Sequence, residues 1–125
     1  MASNTVNTHA NTTWNPTRPW RGIMVATALP LREDLSVDYD AYAAHVRWLI
    51  DNGCDGVVPN GSLGEYQTLT DEERARVVDV AVEAAGDGAR VMPGVAAYGS
   101  AESRRWAERA AEAGCGSVLL LPPNA

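Results

Sequence analysis

The side chains that could do chemistry gather in one short stretch, Asn60-Gly61-Ser62-Leu63-Gly64-Glu65. It follows the apolar run Gly56-Val57-Val58-Pro59 and precedes Thr70-Asp71-Glu72-Glu73, which announces a helix. A glycine-flanked turn between a strand and a helix exposes backbone N–H groups. Converging N–H groups attract an anion and reorganise little on binding it. Gly61, Ser62 and Leu63 are the candidate set: a glycine-flanked hydroxyl, two backbone amides and a glycine that lets the backbone come close; on the loop alone Ser62 reads as an ordinary loop or capping serine. Glu65 is expected to be structural, because a carboxylate beside a bound anion repels it.

What the chain lacks narrows the chemistry further. It contains no lysine, and all ten of its cationic side chains are arginine. A reaction that needs a side-chain amine as nucleophile cannot be run by this polypeptide alone, so no catalytic residue is assigned. There is no Cys-x-x-Cys and no histidine cluster, so neither a metal nor another cofactor is expected. Cys54 and Cys115 read as buried free thiols. His45, inside a helical pattern with no acid or base partner nearby, reads as an ordinary helix residue.

The elements that must hold the Ser62 loop can be read in order. Residues 1–20 are rich in Asn and Thr, carry Pro16 and Pro19, and have no apolar period, which predicts a flexible arm. Residues 23–28, 56–59, 90–95 and 116–121 are short apolar runs of the kind buried on both faces in a parallel sheet. Between them lie three helical patterns. In the first, residues 38–52, the residues Tyr39, Tyr42, Ala43, Val46, Leu49 and Ile50 form one stripe. Ser36 or Asp38 is placed to cap its start, and Gly53 to follow its end. Thr70 with Glu73 is a capping box for the second helix, which runs to about residue 85 on Val77, Val78, Ala81 and Ala84. Ser100 is placed to cap the third, with Trp106, Ala107, Ala110 and Ala111 on its inner face.

The order is βαβαβαβ, with strand starts separated by roughly 30 residues, the size of a βα unit with short loops. There is an internal echo: Asn52-Gly53-Cys54-Asp55-Gly56-Val57-Val58 resembles Ala113-Gly114-Cys115-Gly116-Ser117-Val118-Leu119. Such regularity predicts a (β/α)₈ barrel rather than a doubly wound sheet. A dinucleotide fold would want G-x-G-x-x-G after the first strand, where Ala28-Leu29-Pro30-Leu31 stands. The predicted class is α/β, the N-terminal half of a barrel, with about four parallel strands and three helices. Residues 21–125 would form that half, truncated after the fourth strand, since a full barrel takes about 250 residues. Its two open edges lead us to expect the isolated chain to fold poorly or to self-associate.

Composition excludes some partners. A net charge of -6 without basic clusters argues against nucleic acid and anionic membrane. No apolar stretch approaches the roughly 20 residues needed to span a bilayer. No secretory segment follows Met1, so a cytoplasmic protein is expected.

Taken together, Pro30, the residue 39–50 helix, Asn60-Gly61-Ser62-Leu63-Gly64-Glu65 and Leu69-Thr70-x-x-Glu73-Arg74 resemble the dihydrodipicolinate synthase / N-acetylneuraminate lyase family. So do Met92-Pro93-Gly94-Val95 and Leu121-Pro122. The resemblance covers residues 20–125. It implies a class I aldolase-type lyase acting on a small-molecule substrate, pyruvate or another 2-oxo acid, through a Schiff base. It places the Schiff-base lysine on a sixth strand and a proton-shuttling tyrosine on a fifth, both beyond Ala125, so that this chain would be an inactive N-terminal fragment. It implies a homo-oligomer, dimer or tetramer, for the whole protein. By the same resemblance, Ser62 and the amides of Ser62 and Leu63 would hold the substrate carboxylate. Two positions depart from the family pattern: Leu63 replaces a threonine, and Pro123 or Asn124 stands where many members carry a tyrosine. Both departures favour a relative with another substrate, such as a sugar acid or the substrate of a dehydratase or hydratase-aldolase.

Overall fold

The computed structural model describes residues 18–122. The expected flexible arm falls mostly on residues 1–17, and the Pro123 and Asn124 positions also lie outside the described residues.

Strand β1 (Met24–Ala26) leads to helix α1 (Tyr39–Asp51), then β2 (Gly56–Val58), a 3₁₀ turn (Tyr66–Thr68), α2 (Asp71–Ala85), β3 (Arg90–Val91) and α3 (Ser100–Glu112). The strands lie side by side in the order β1-β2-β3 and all pairs are parallel, with Val25 opposite Val57 and Val57 opposite Val91. Beyond β3, Gly94 bridges Leu119 in parallel, which brings residues 117–121 to the next place in the row. Consecutive strands are therefore neighbours throughout. A doubly wound sheet reverses direction part-way across, and this sheet does not.

The fourth strand is shorter than expected. Its pairing is limited to the Leu119 bridge, and Leu120 is exposed. The backbone N–H of Leu119 donates to the Pro93 carbonyl, and that of Val95 to the Leu119 carbonyl. Pairing on one side only leaves half of a strand's ladder groups to solvent, which keeps the regular segment brief.

Each helix turns the face its periodicity implies, with local exceptions. Tyr42, Val46 and Leu49 of α1 pack with Val77, Ala81 and Ala84 of α2 and with Val57 and Val91 of the sheet in one core. Asp38 caps α1, accepting from the Ala41 amide at 3.0 Å. The Thr70–Glu73 capping box is complete: Glu73 N–H donates to the Thr70 hydroxyl at 3.2 Å, and Thr70 N–H to the Glu73 carboxylate at 2.9 Å. In α3 the cap expected at Ser100 is not formed. Gly99 holds that place, and its carbonyl accepts from Ser103 N–H, so Ser100 is already the first helical residue. Trp106 and Ala110 are buried, but Ala111 is exposed: Trp106 packs with Ala75 of α2 and Val95 beyond β3, and the buried face of α3 is narrower than its run of alanines.

The Gly-Cys echo is a repeated helix ending. Gly53 and Gly114 both adopt left-handed φ, 101° and 96°. The next amides, Cys54 and Cys115, reach back to Leu49 and Ala110 carbonyls at 3.1 and 3.0 Å. These bonds satisfy orphan carbonyls at the helix end and aim the chain into the next strand. Both cysteines are free and half-buried, and burial pushes the Cys115 thiol up to about 11.

The amino-terminal ends of the strands are closed by a buried ion pair. Arg90 lies 3.9 Å from Asp55, and each also holds the incoming chain. Asp55 accepts from Ile23 N–H at 2.7 Å, and Arg90 donates to the Pro19 carbonyl at 3.2 Å. That end is fastened, and the opposite end carries the loops.

Candidate functional site

The Ser62 loop leaves β2 at its carboxyl end, beside the carboxyl ends of β1 and β3. Two buried contacts fix these strand ends to their surroundings. Thr27, just after β1, shares a 2.7 Å hydrogen bond with the Tyr42 hydroxyl of α1. Gly94, after β3, donates its N–H to the Pro59 carbonyl at 2.8 Å.

The loop is built from two left-handed residues and two tight turns. Asn60 has φ 60° and Glu65 φ 56°. Asparagine is among the few non-glycine residues that take this conformation readily, and here it starts the turn. Between them, Gly64 N–H donates to the Gly61 carbonyl at 3.0 Å and Glu65 N–H to the Ser62 carbonyl at 3.1 Å. These bonds use the amides on the far side of the turn. The amides of Ser62 and Leu63 donate to no acceptor among the described residues, and neither does the Ser62 hydroxyl. Ser62 is exposed and Leu63 is 63% exposed, while Gly61 and Gly64 are buried beneath them. The loop thus presents one hydroxyl and two uncommitted N–H groups on a fixed base.

Glu65 is exposed, and its carbonyl takes Thr68 N–H at 2.9 Å and the Thr68 hydroxyl at 3.0 Å. It closes the loop into the 3₁₀ turn. Tyr66 is buried against the loop's base, whereas Tyr98 is 87% exposed. Among the described residues no cluster of His, Cys, Asp and Glu is placed to hold a metal, and no helix is long and apolar enough to cross a membrane.

Two residues of this region escape a reading of the sequence. Asn60 is almost wholly buried, and its side-chain amide donates to the Arg74 carbonyl at 3.0 Å. Arg74, only 7% exposed, stacks its guanidinium over Trp106 and Tyr66 and donates to the Gly94 carbonyl at 3.2 Å. Burial lowers its pKa. The only signal in the sequence for Asn60 is its type, an αL-tolerant residue before glycine. Arg74 closes the Leu69-Thr70-x-x-Glu73-Arg74 motif, but nothing there marks its role, because helical periodicity puts it on the inner stripe where an apolar residue is expected.

Comparison with known proteins fits this geometry. The model of the dihydrodipicolinate synthetase family matches residues 19–124. The chain belongs to that family. A 4-hydroxy-tetrahydrodipicolinate synthase of Mycolicibacterium paratuberculosis is 39% identical over 101 residues, 81% of this chain and 34% of the relative. An uncharacterized DapA-like lyase of Rhizobium meliloti is 38% identical over 84% of this chain and 35% of its own length. Among solved structures, dihydrodipicolinate synthase from Rhodopseudomonas palustris superposes with a TM-score of 0.79 at 28% identity, covering 89% of this chain and 36% of that one. The Aquifex aeolicus enzyme superposes at 0.77 with 32% identity, covering 82% and 35%. The chain spans about a third of the length of the relatives it matches, and its sheet and helices are the partial α/β barrel of this family.

Proposed function

We propose that this chain carries the carboxylate cradle of a Schiff-base-forming 2-oxo acid lyase, with pyruvate as the simplest substrate. The observation that carries the reading is the pair of uncommitted amides at Ser62 and Leu63 beside the Ser62 hydroxyl, at the carboxyl ends of parallel strands. Ligands of barrel enzymes bind at that end. In this reading the carboxylate accepts from Ser62 N–H, Leu63 N–H and the Ser62 hydroxyl. These three donors stabilise its charge without a cation, and the ketone carbon is held for attack by an amine. That amine is supplied by polypeptide other than residues 1–125, because this chain has no lysine. The whole protein is then a cytoplasmic homo-oligomer, to which residues 1–125 contribute the carboxylate contact and not the amine.

A second reading has one observation in its favour. Leu63 sets an exposed apolar side chain beside the cradle, where a hydroxyl would have donated another hydrogen bond. That favours a larger co-substrate with an apolar or sugar-acid portion, as in a dehydratase or hydratase-aldolase, with the same carboxylate contact.

The test is a chimera in which residues 19–122 replace the matching third of the Mycolicibacterium relative. Pyruvate with borohydride should trap an adduct on the chimera. Ser62→Ala should raise the KM for pyruvate by roughly tenfold to a hundredfold, the loss of a hydrogen bond to a charged group. An unchanged KM in the Ser62→Ala chimera would refute the cradle.

A further inference from the structure

Arg74 touches the Ser62 loop at both of its ends. Its carbonyl takes the Asn60 side-chain amide where the chain leaves β2. Its guanidinium lies 5.1 Å from the centre of the Tyr66 ring, where the chain leaves the loop. The same guanidinium sits 4.5 Å from the Trp106 ring of α3 and donates to the Gly94 carbonyl beyond β3. One residue of α2 thus joins the start of the loop, its end, the neighbouring strand and the next helix.

The chemistry of this arrangement is unusual for a packing residue. Among the described residues no carboxylate lies within ion-pair distance of Arg74. Its Nε is buried and has no hydrogen-bond partner among them. A buried charge of this kind is costly, and replacing buried charges with apolar side chains of similar size is often neutral or stabilising. What arginine offers here, and an apolar residue does not, is a flat cation that grips two rings and a carbonyl at once.

We propose that Arg74 is a positioning residue, clamping both ends of the Ser62 loop so that the Ser62 and Leu63 amides keep their places. Its use in binding rests on the carboxylate-cradle reading, whereas the clamp itself is a statement about loop order that needs no ligand. Asn60 is its counterpart on the loop: left-handed φ sets the direction of the turn, and the bond to the Arg74 carbonyl holds it there.

Hydrogen exchange followed by mass spectrometry on the full chain separates the clamp from plain packing. In the native chain the Gly64 and Glu65 amides, which close the loop's two turns, should be protected. Arg74→Met keeps bulk and removes the cation. It should speed exchange of those two amides at least tenfold, with α1 amides unchanged and the urea midpoint held or raised. Arg74→Lys, which keeps the charge without the flat face, should not restore protection. Asn60→Gly keeps the left-handed turn and removes the tie to Arg74 along with a buried side chain; it should speed the same amides, and it decides the matter if Arg74→Met does not fold. Loop protection unchanged in both Arg74→Met and Asn60→Gly would overturn the clamp. So would a native loop with no protection, or a lowered urea midpoint with exchange faster everywhere in proportion. Pyruvate should slow exchange in the native loop and do so less in either variant. If pyruvate has no effect on the native chain, the cradle reading fails, and the ligand-free rates still decide the clamp.

Discussion

Gly94→Ala probes the seam between the Ser62 loop and β3. A Cβ at position 94 would stand 2.3 Å from the Asn60 carbonyl oxygen and 2.9 Å from its carbon, whereas ordinary contact begins at 3.4 Å. Both neighbours are backbone, so no side chain can swing aside. Relief requires the two strand ends to part by about 1 Å, well beyond the adjustment that overpacked cores usually absorb. Two hydrogen bonds cross this seam: Gly94 N–H to Pro59 at 2.8 Å and Arg74 to the Gly94 carbonyl at 3.2 Å. Neither survives such a displacement. The neutral bond contributes about 1 kcal/mol, and leaving the buried Arg74 guanidinium without its carbonyl costs about 1.5–3, so the expected loss is about 2.5–4 kcal/mol. Urea unfolding followed by far-ultraviolet circular dichroism should show it as a lowered midpoint at unchanged slope. Exchange of the Gly64 amide should accelerate as well. A Gly94→Ala chain within about 0.5 kcal/mol of the parent, with the same loop exchange, would refute this packing.

Two further substitutions test other parts of the framework. Burial pushes the Tyr42 hydroxyl up to about 12 from its ordinary 10.0, with the Thr27 hydrogen bond opposing it. The fold favours the protonated phenol, so this contribution is whole below pH 10 and is lost as pH rises to 12, by on the order of 2–3 kcal/mol. Tyr42→Phe should flatten the stability profile in that window while costing about 1 kcal/mol at neutral pH; an equally steep alkaline loss in the variant would contradict the assignment. Leu35 holds φ 70° with its side chain 76% exposed, a conformation that penalises any residue with a Cβ. Leu35→Gly should raise stability by about 0.5–1 kcal/mol, the relieved strain exceeding the entropy added to the unfolded chain; a lowered urea midpoint would show that the turn is not strained.

The parts of the fold legible in the sequence were those set by local chemistry. The Thr70–Glu73 box, the α1 stripe and the repeated Gly-Cys ending each depend on residues within one or two helical turns, and each forms as its spacing implies. The order of strands followed from the regular repeat. The strands themselves were harder to bound: 90–95 and 116–121 read as full apolar runs, yet regular pairing covers Arg90–Val91 and a bridge at Leu119. Strand length depends on what lies alongside, and apolar content does not record that. Ser100 was misplaced because a serine before a helical pattern resembles a cap whether the helix starts at it or one residue earlier. In the site, the glycine-flanked hydroxyl announced the loop, but the groups that fix it did not show. Arg74 lies on an apolar stripe by period, and its partners Gly94 and Trp106 are far along the chain. Contacts between distant segments leave no mark in local pattern.

The central claim is that the amides of Ser62 and Leu63 receive the carboxylate of a 2-oxo acid. The most direct measurement is titration of the ¹⁵N-labelled chain with pyruvate, and in parallel with acetone, which keeps the ketone and lacks the carboxylate. Saturable shifts of the Ser62 and Leu63 amides with pyruvate alone are predicted. Equal shifts with both ligands, or pyruvate shifts confined to the Asp55–Arg90 end of the strands, would contradict it.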